Sequence, residues 1–244
     1  MSQESSQPHL VPRRDLLRAA AGTGALLFAA GGITQPAGAA APASPGSNSE
    51  GITAIYSPLD PEQTLILFAD LQAGIIERGV TNELPRLRRT VSALAKLARL
   101  FDIPAIVTTA PTQEPQPRVT PEIAAALGDL PYHTRTTTDA FLHTETREAI
   151  LATGRSAFLV AGVATEIIVQ HTALSGVARG LHVEVVVDAC SGISARTEDA
   201  ALRRLVQSGV VITSAASVGG QLAGDLSQPK GGQAMGILYE MMSN

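Results

Sequence analysis

Four apolar runs of strand length, each giving way to a segment of helical character, constrain this chain more than any other feature. They are TLILFAD at 64–70, PAIVTT at 104–109, SAFLVAGV at 156–163 and HVEVVVDA at 182–189, and VVITS at 210–214 makes a fifth. Apart from the HVEV opening of the fourth, none alternates apolar with polar residues, so their faces are meant for burial rather than for water. The segments between them are helical. Leu87, Val91, Leu94, Leu97 and Leu100 recur within 86–101, PEIAAALGDL carries a Gly128 stop, TEIIVQHTALSGVARG ends at Gly180 and TEDAALRRLVQSG ends at Gly209. Buried strands alternating with helices of this kind require a parallel sheet covered on both faces. No internal repeat interrupts the pattern.

Composition narrows the partners. A formal charge of −4 over 244 residues leaves no basic stripe for nucleic acid, so a small-molecule substrate or ligand is expected and nucleic acid is not. Aromatic residues make up only 3% of the chain, which leaves the core to Leu, Val, Ile and Ala. The single cysteine, Cys190, cannot form an internal disulfide.

Residues 1–43 differ in kind from the rest. A polar start leads to VPRRDLLR, then to the short, glycine-containing apolar stretch AAAGTGALLFAAGGI, and A-x-A tripeptides place cleavage after Ala39 or Ala43. Arg13 and Arg14, followed by Leu16 and Leu17, resemble a twin-arginine signal, with a general secretory signal as the alternative. The expectation is export by the twin-arginine machinery to the cell envelope or beyond. A Pro/Ala/Ser/Gly linker then spans 44–60, the main domain 61–226, and a tail 227–244. That tail reads as a flexible QPKGGQ joint before an apolar segment, which packs on its own domain or serves as an oligomer arm.

In open parallel sheets, ligands bind at the carboxyl ends of the strands. Those ends carry Asp70, then Thr108 and Thr109, then 162–165, then 188–191. Asp70 directly follows LILFA, so burial would raise its pKa and suit it to acid–base work, unless it simply caps the next turn. Asp188 reads better as an anchor for its loop. His133, His143 and His171 show no ligand spacing, so no metal site is expected. No nucleophile elbow, phosphate loop or dinucleotide fingerprint is present either, and no cofactor is expected.

LILFADLQ at 65–72, IPAIVTTA, HTRTTTDAF at 133–141 and LVAGVATEIIV with its following helix together resemble the isochorismatase-like cysteine hydrolases, the YcaC-like branch especially. The resemblance implies a doubly wound, mostly parallel six-stranded sheet with helices on both faces, a Rossmann-like three-layer α/β fold, and a homo-oligomer. It also implies a triad of Asp, a basic residue and Cys. Asp70 fills the first position, with the family-like Gln72 beside it, and Arg135 the second. The third position, which ends a G-V-x-T-E-x-C-V pattern, is Ile168. A cis peptide is expected at Val163–Ala164, with Gln72, Val163, Ala164, Thr165 and the backbone onward to Ile168 contacting substrate or oxyanion.

An isoleucine keeps apolar volume and removes the nucleophile, so no thioester can form at this position. Three alternatives remain: Cys190 reaching into the cleft, although such a residue is more often core filler; acid–base hydrolysis by Asp70 with Arg135, as in isochorismatases that lack the cysteine; or an inactive fold retained as a small-molecule binding or assembly module.

Overall fold

The computed structural model describes residues 58–112, 118–128 and 130–243; the signal expected at 1–43 and the linker up to residue 57 lie outside the described residues. Strands β1 (Thr64–Ala69), β2 (Ala105–Thr109), β3 (Tyr132–Thr134), β4 (Ala157–Val163), β5 (His182–Ser191) and β6 (Val211–Thr213) form one sheet in the order β3-β2-β1-β4-β5-β6. Every pairing is parallel. The helices are α1 (Ala73–Ile76), α2 (Leu84–Leu100), α3 (Pro121–Leu127), α4 (Thr144–Ala152), α5 (Gln170–Val177), α6 (Ala195–Gln207), α7 (Ala215–Ala223) and α8 (Pro229–Met242), with a 3₁₀ turn at Ala140–Leu142. Among the described residues, no helix is long and apolar enough to cross a membrane.

The unbroken apolar character of β1 and β4 follows from their central position, where every residue is buried. Successive residues feed opposite layers. Ile66, Phe68, Leu159 and Ala161 pack with Leu87, Leu94 and Leu97 of α2 and with Val218 and Leu238 of α7 and α8. Leu65, Leu67, Phe158 and Val160 pack with Phe141, Ile150 of α4, Ala173 of α5 and Leu205 of α6. Each Leu or Phe so buried contributes about 1.5–3 kcal/mol, and a wrong-face register would forfeit it. The doubly wound α/β fold expected from the strand pattern is therefore the fold observed.

Three local expectations change. The sixth strand, β3, was not located by pattern because it is three residues long and its two outer residues are exposed at the sheet edge. The helix expected to start near Thr165 begins with a π-helical turn, Thr165–Val169, before α5. QPKGGQ is no joint: Pro229 to Gln233 open α8, which packs within the same chain on α2 and α7. Gly231 is there for proximity, since a Cβ at that position would lie 2.2 Å from the Asp225 carbonyl oxygen.

Close approach also sets the future site. Gly162 pairs with Ala69, and a Cβ on Gly162 would fall 2.3 Å from the Ala69 oxygen. Only glycine lets the end of β4 press against the end of β1, where Asp70 emerges.

Candidate active site

Asp70 leaves β1 in the left-handed region, φ 55°, and its N–H donates to the Thr108 carbonyl of β2 at 3.0 Å. An Asp accepts this conformation more readily than most residues. The turn directs the carboxylate across the strand ends, where Thr108 Oγ1 donates to Oδ1 at 3.3 Å and Arg135 Nη2 pairs with Oδ2. Arg135 arrives from the end of β3, with its backbone N–H on the Thr109 carbonyl at 2.9 Å and Nη1 on the Thr137 carbonyl. The side chains of the pair retain only 8% (Asp70) and 3% (Arg135) of their exposure. The buried Arg135 Nε has no partner among the described residues.

Burial dominates the electrostatics of the pair. It pushes the Asp70 carboxyl above its ordinary range, against the pull of the Arg135 charge and its hydrogen bond. It lowers Arg135 in turn, against the attraction of Asp70. A carboxyl raised in this way favours its protonated form more than a free Asp does.

Beside the pair opens a cavity of about 300 Å³. Asp70 and Arg135 form its polar end, and Ile75, Val163, Ile167, Ile168 and Ile193 its walls. The Val163–Ala164 peptide is cis, as the resemblance implied, and both residues line the cavity. Ile168 keeps 1% of its exposure, with one side in the apolar layer under β4 and the other on the cavity. A larger groove of about 900 Å³ runs along α2 and α3, but it lies away from the strand ends and none of the expected site residues lines it.

Of the seven residues expected at the site, the structure brings Asp70, Arg135, Val163, Ala164 and Ile168 together around the cavity and leaves two aside. Gln72 is buried, and its amide clamps the Ala110 backbone, accepting its N–H at 2.7 Å and donating to its carbonyl at 3.1 Å. Thr165 donates its hydroxyl to Glu198 at 2.7 Å. Both hold loops rather than lining the cavity. Among the backbone groups expected to face an oxyanion, the Ile167 N–H is engaged by the Ala164 carbonyl at 3.1 Å.

The remaining candidates resolve simply. Cys190 sits inside β5 beside Gly162 with 1% exposure, packed in the apolar layer, and burial pushes its thiol up to about 12. Asp188, its carboxyl also raised by burial, accepts the Ala215 N–H at the start of α7 at 2.8 Å. Among the described residues, no cluster of three or more His, Cys, Asp or Glu could hold a metal. Pattern reading missed Ile75, Arg78, Thr137 and Ile193, which line the cavity from loops or the short α1. None belongs to a periodic segment, so only HTRTTTDAF, already quoted for Arg135, offered any signal.

A parallel three-layer α/β fold that carries a buried strand-end carboxylate and arginine beside a cis peptide at the head of a helix defines a hydrolase fold of the isochorismatase class. Residues 64–217 match the isochorismatase domain, and the chain belongs to the isochorismatase family of hydrolases. Its similarity to the probable hydrolase YcaC of Escherichia coli is 34% identity over 159 residues, covering 65% of this chain and 76% of that one. The YcaC structure from Pseudomonas aeruginosa, with hexane-2,5-diol and covalent acrylamide, superposes with a TM-score of 0.72 at 30% identity, covering 77% of this chain and 93% of that one. The Escherichia coli YcaC structure, an octameric hydrolase of unknown specificity, gives 0.72 and 30%, covering 77% and 92%.

Proposed function

We propose that this chain is an exported hydrolase that opens an amide-like or vinyl-ether-like bond in a small molecule by acid–base chemistry at Asp70, without a thiol nucleophile. The observation that carries this reading is the buried Asp70–Arg135 pair facing an open cavity at the strand ends, next to an isoleucine at the family's nucleophile position. An occluded, filled site would have favoured an inactive binding module instead.

The chemistry follows from what surrounds Asp70. With a vinyl ether, protonated Asp70 gives its proton to the terminal vinyl carbon. The π electrons form the new C–H bond, and water adds to the oxocarbenium carbon. The proton released by that water restores the Asp70 acid, and the hemiketal separates into alcohol and ketone. With an amide-like bond, the Asp70 carboxylate takes a proton from attacking water and passes it to the leaving nitrogen. Arg135 fixes the carboxylate in place and balances its charge as the proton moves.

The Arg13–Arg14 signal pattern supports export through the twin-arginine machinery. The octameric state described for Escherichia coli YcaC supports a homo-oligomer. The direct test of a thiol-free mechanism is turnover of a panel of vinyl ethers and small amides by the wild type and Cys190→Ala. Equal rates are expected, and loss of activity in Cys190→Ala would overturn the reading.

A further inference from the structure

The charges around the cavity do not balance. Its charged lining residues are Asp70, Arg135 and Arg78. The first two neutralise each other, and the terminal nitrogens of Arg135 are already engaged by Asp70 and the Thr137 carbonyl. Arg78 is exposed and makes no ion pair among the described residues.

The rim holds Arg78 in place. Its N–H donates to the Ile75 carbonyl at 2.9 Å, and two residues on the Val80 N–H donates to the Gly192 carbonyl at 2.9 Å. The intervening Gly79 lies so close to the ends of β4 and β5 that a Cβ there would meet Ser191 Oγ at 2.7 Å. The backbone that carries Arg78 is therefore pinned against the cavity mouth on both sides.

We propose that the cavity takes a small carboxylic acid with a compact apolar body. Arg78 holds the carboxylate at the mouth, the isoleucine walls enclose the body, and the scissile bond reaches Asp70. The location of that bond rests on the acid–base reading above, whereas the anion site does not. A guanidinium fork matches a carboxylate in geometry, and a net lining charge of one suits a monoanion better than a phosphate dianion. Thr136, Thr137 and Thr138 also line the cavity, but Ile75, Val163, Ile167, Ile168 and Ile193 make its walls mainly apolar, which disfavours a strongly hydroxylated body such as a sugar. At about 300 Å³ the cavity is at the lower end of ligand sites, which run to roughly 1,000 Å³.

Benzoate and acetophenone share a shape and differ in charge, and neither carries a bond of the kind proposed to be cleaved. Calorimetric titration of each into the purified protein is expected to show benzoate bound at least about fivefold more tightly, the preference shrinking as salt is raised. In Arg78→Gln the preference falls to within about twofold while acetophenone binding is unchanged. Equal binding of the two probes by the wild type, or no binding of benzoate, would overturn the proposal. A preference that survives Arg78→Gln would overturn it too, since the anion would then lie on Arg135. The readout is binding without turnover, so an enzyme that cleaves neutral amides yet ignores benzoate would remove the anion site and leave the Asp70 chemistry standing.

Discussion

Restoring the family's nucleophile by Ile168→Cys probes position 168 more sharply than any deletion. The substitution removes two heavy atoms from a side chain with 1% exposure. At about 0.8 kcal/mol per buried methylene this costs about 1.6 kcal/mol before any cavity term. The vacated space joins the existing 300 Å³ cavity instead of leaving a closed void, so the total should stay near about 2 kcal/mol. For a domain of this size that lowers the melting temperature by about 4–8 °C.

The chemical consequence is larger. The only natural thiol, Cys190, is pushed up to about 12 by burial. Burial therefore keeps it in the thiol form at pH 7.5, whereas an unperturbed thiol is a thiolate in about one molecule in ten. A thiol at position 168 would stand at a helix start near the Arg135 guanidinium, and both features lower thiol pKa values. Intact-mass analysis after brief iodoacetamide treatment of native protein should show a single adduct on the Ile168→Cys variant and none on the wild type. Labelling of the wild type at Cys190 on the same timescale, or an inert variant, would refute the placement of the two positions.

Other consequences follow from the same geometry. Arg135→Ala leaves the Asp70 carboxylate buried without its cation and should destabilise the protein by about 3–5 kcal/mol in urea unfolding, whereas a cost below about 1 kcal/mol would mean the pair is solvated. Because burial raises Asp70 above its ordinary value of 3.8, the folded state holds this proton more tightly than the unfolded chain does. The contribution of Asp70 to stability is therefore present in full at low pH and declines as pH rises through the raised value. The stability difference between wild type and Asp70→Asn, followed from about pH 3 to 7, should shift against the wild type as pH rises, and a shift in its favour would reverse the sign assigned to burial.

The central strands were legible because burial on both faces writes itself into composition. LILFA and FLVAGV have no polar residue to hide, so their strand character and their place inside the sheet followed together. At the edge the same logic fails. Tyr132 and Thr134 face solvent, three residues carry no period, and β3 was invisible although it delivers Arg135. Asp70 was readable from its position at the end of an apolar run. Arg135, by contrast, emerged only through resemblance, since nothing in HTRTTTDAF shows that the chain will fold across β2. Gln72 was misplaced because an amide beside a strand-end Asp serves equally well as a ligand contact or a backbone clamp, and only the Ala110 geometry separates the two. The glycines of QPKGGQ suggested a hinge, when one of them, Gly231, is required for packing against the Asp225 carbonyl.

The most direct measurement is the kcat/KM of Asp70→Asn against the wild type on whichever vinyl ether or amide the wild type turns over, with circular dichroism showing both folded at the assay temperature. Chemistry centred on Asp70 predicts a loss of at least about 100-fold in the variant. A variant within about twofold of the wild type would place the reaction elsewhere in the molecule.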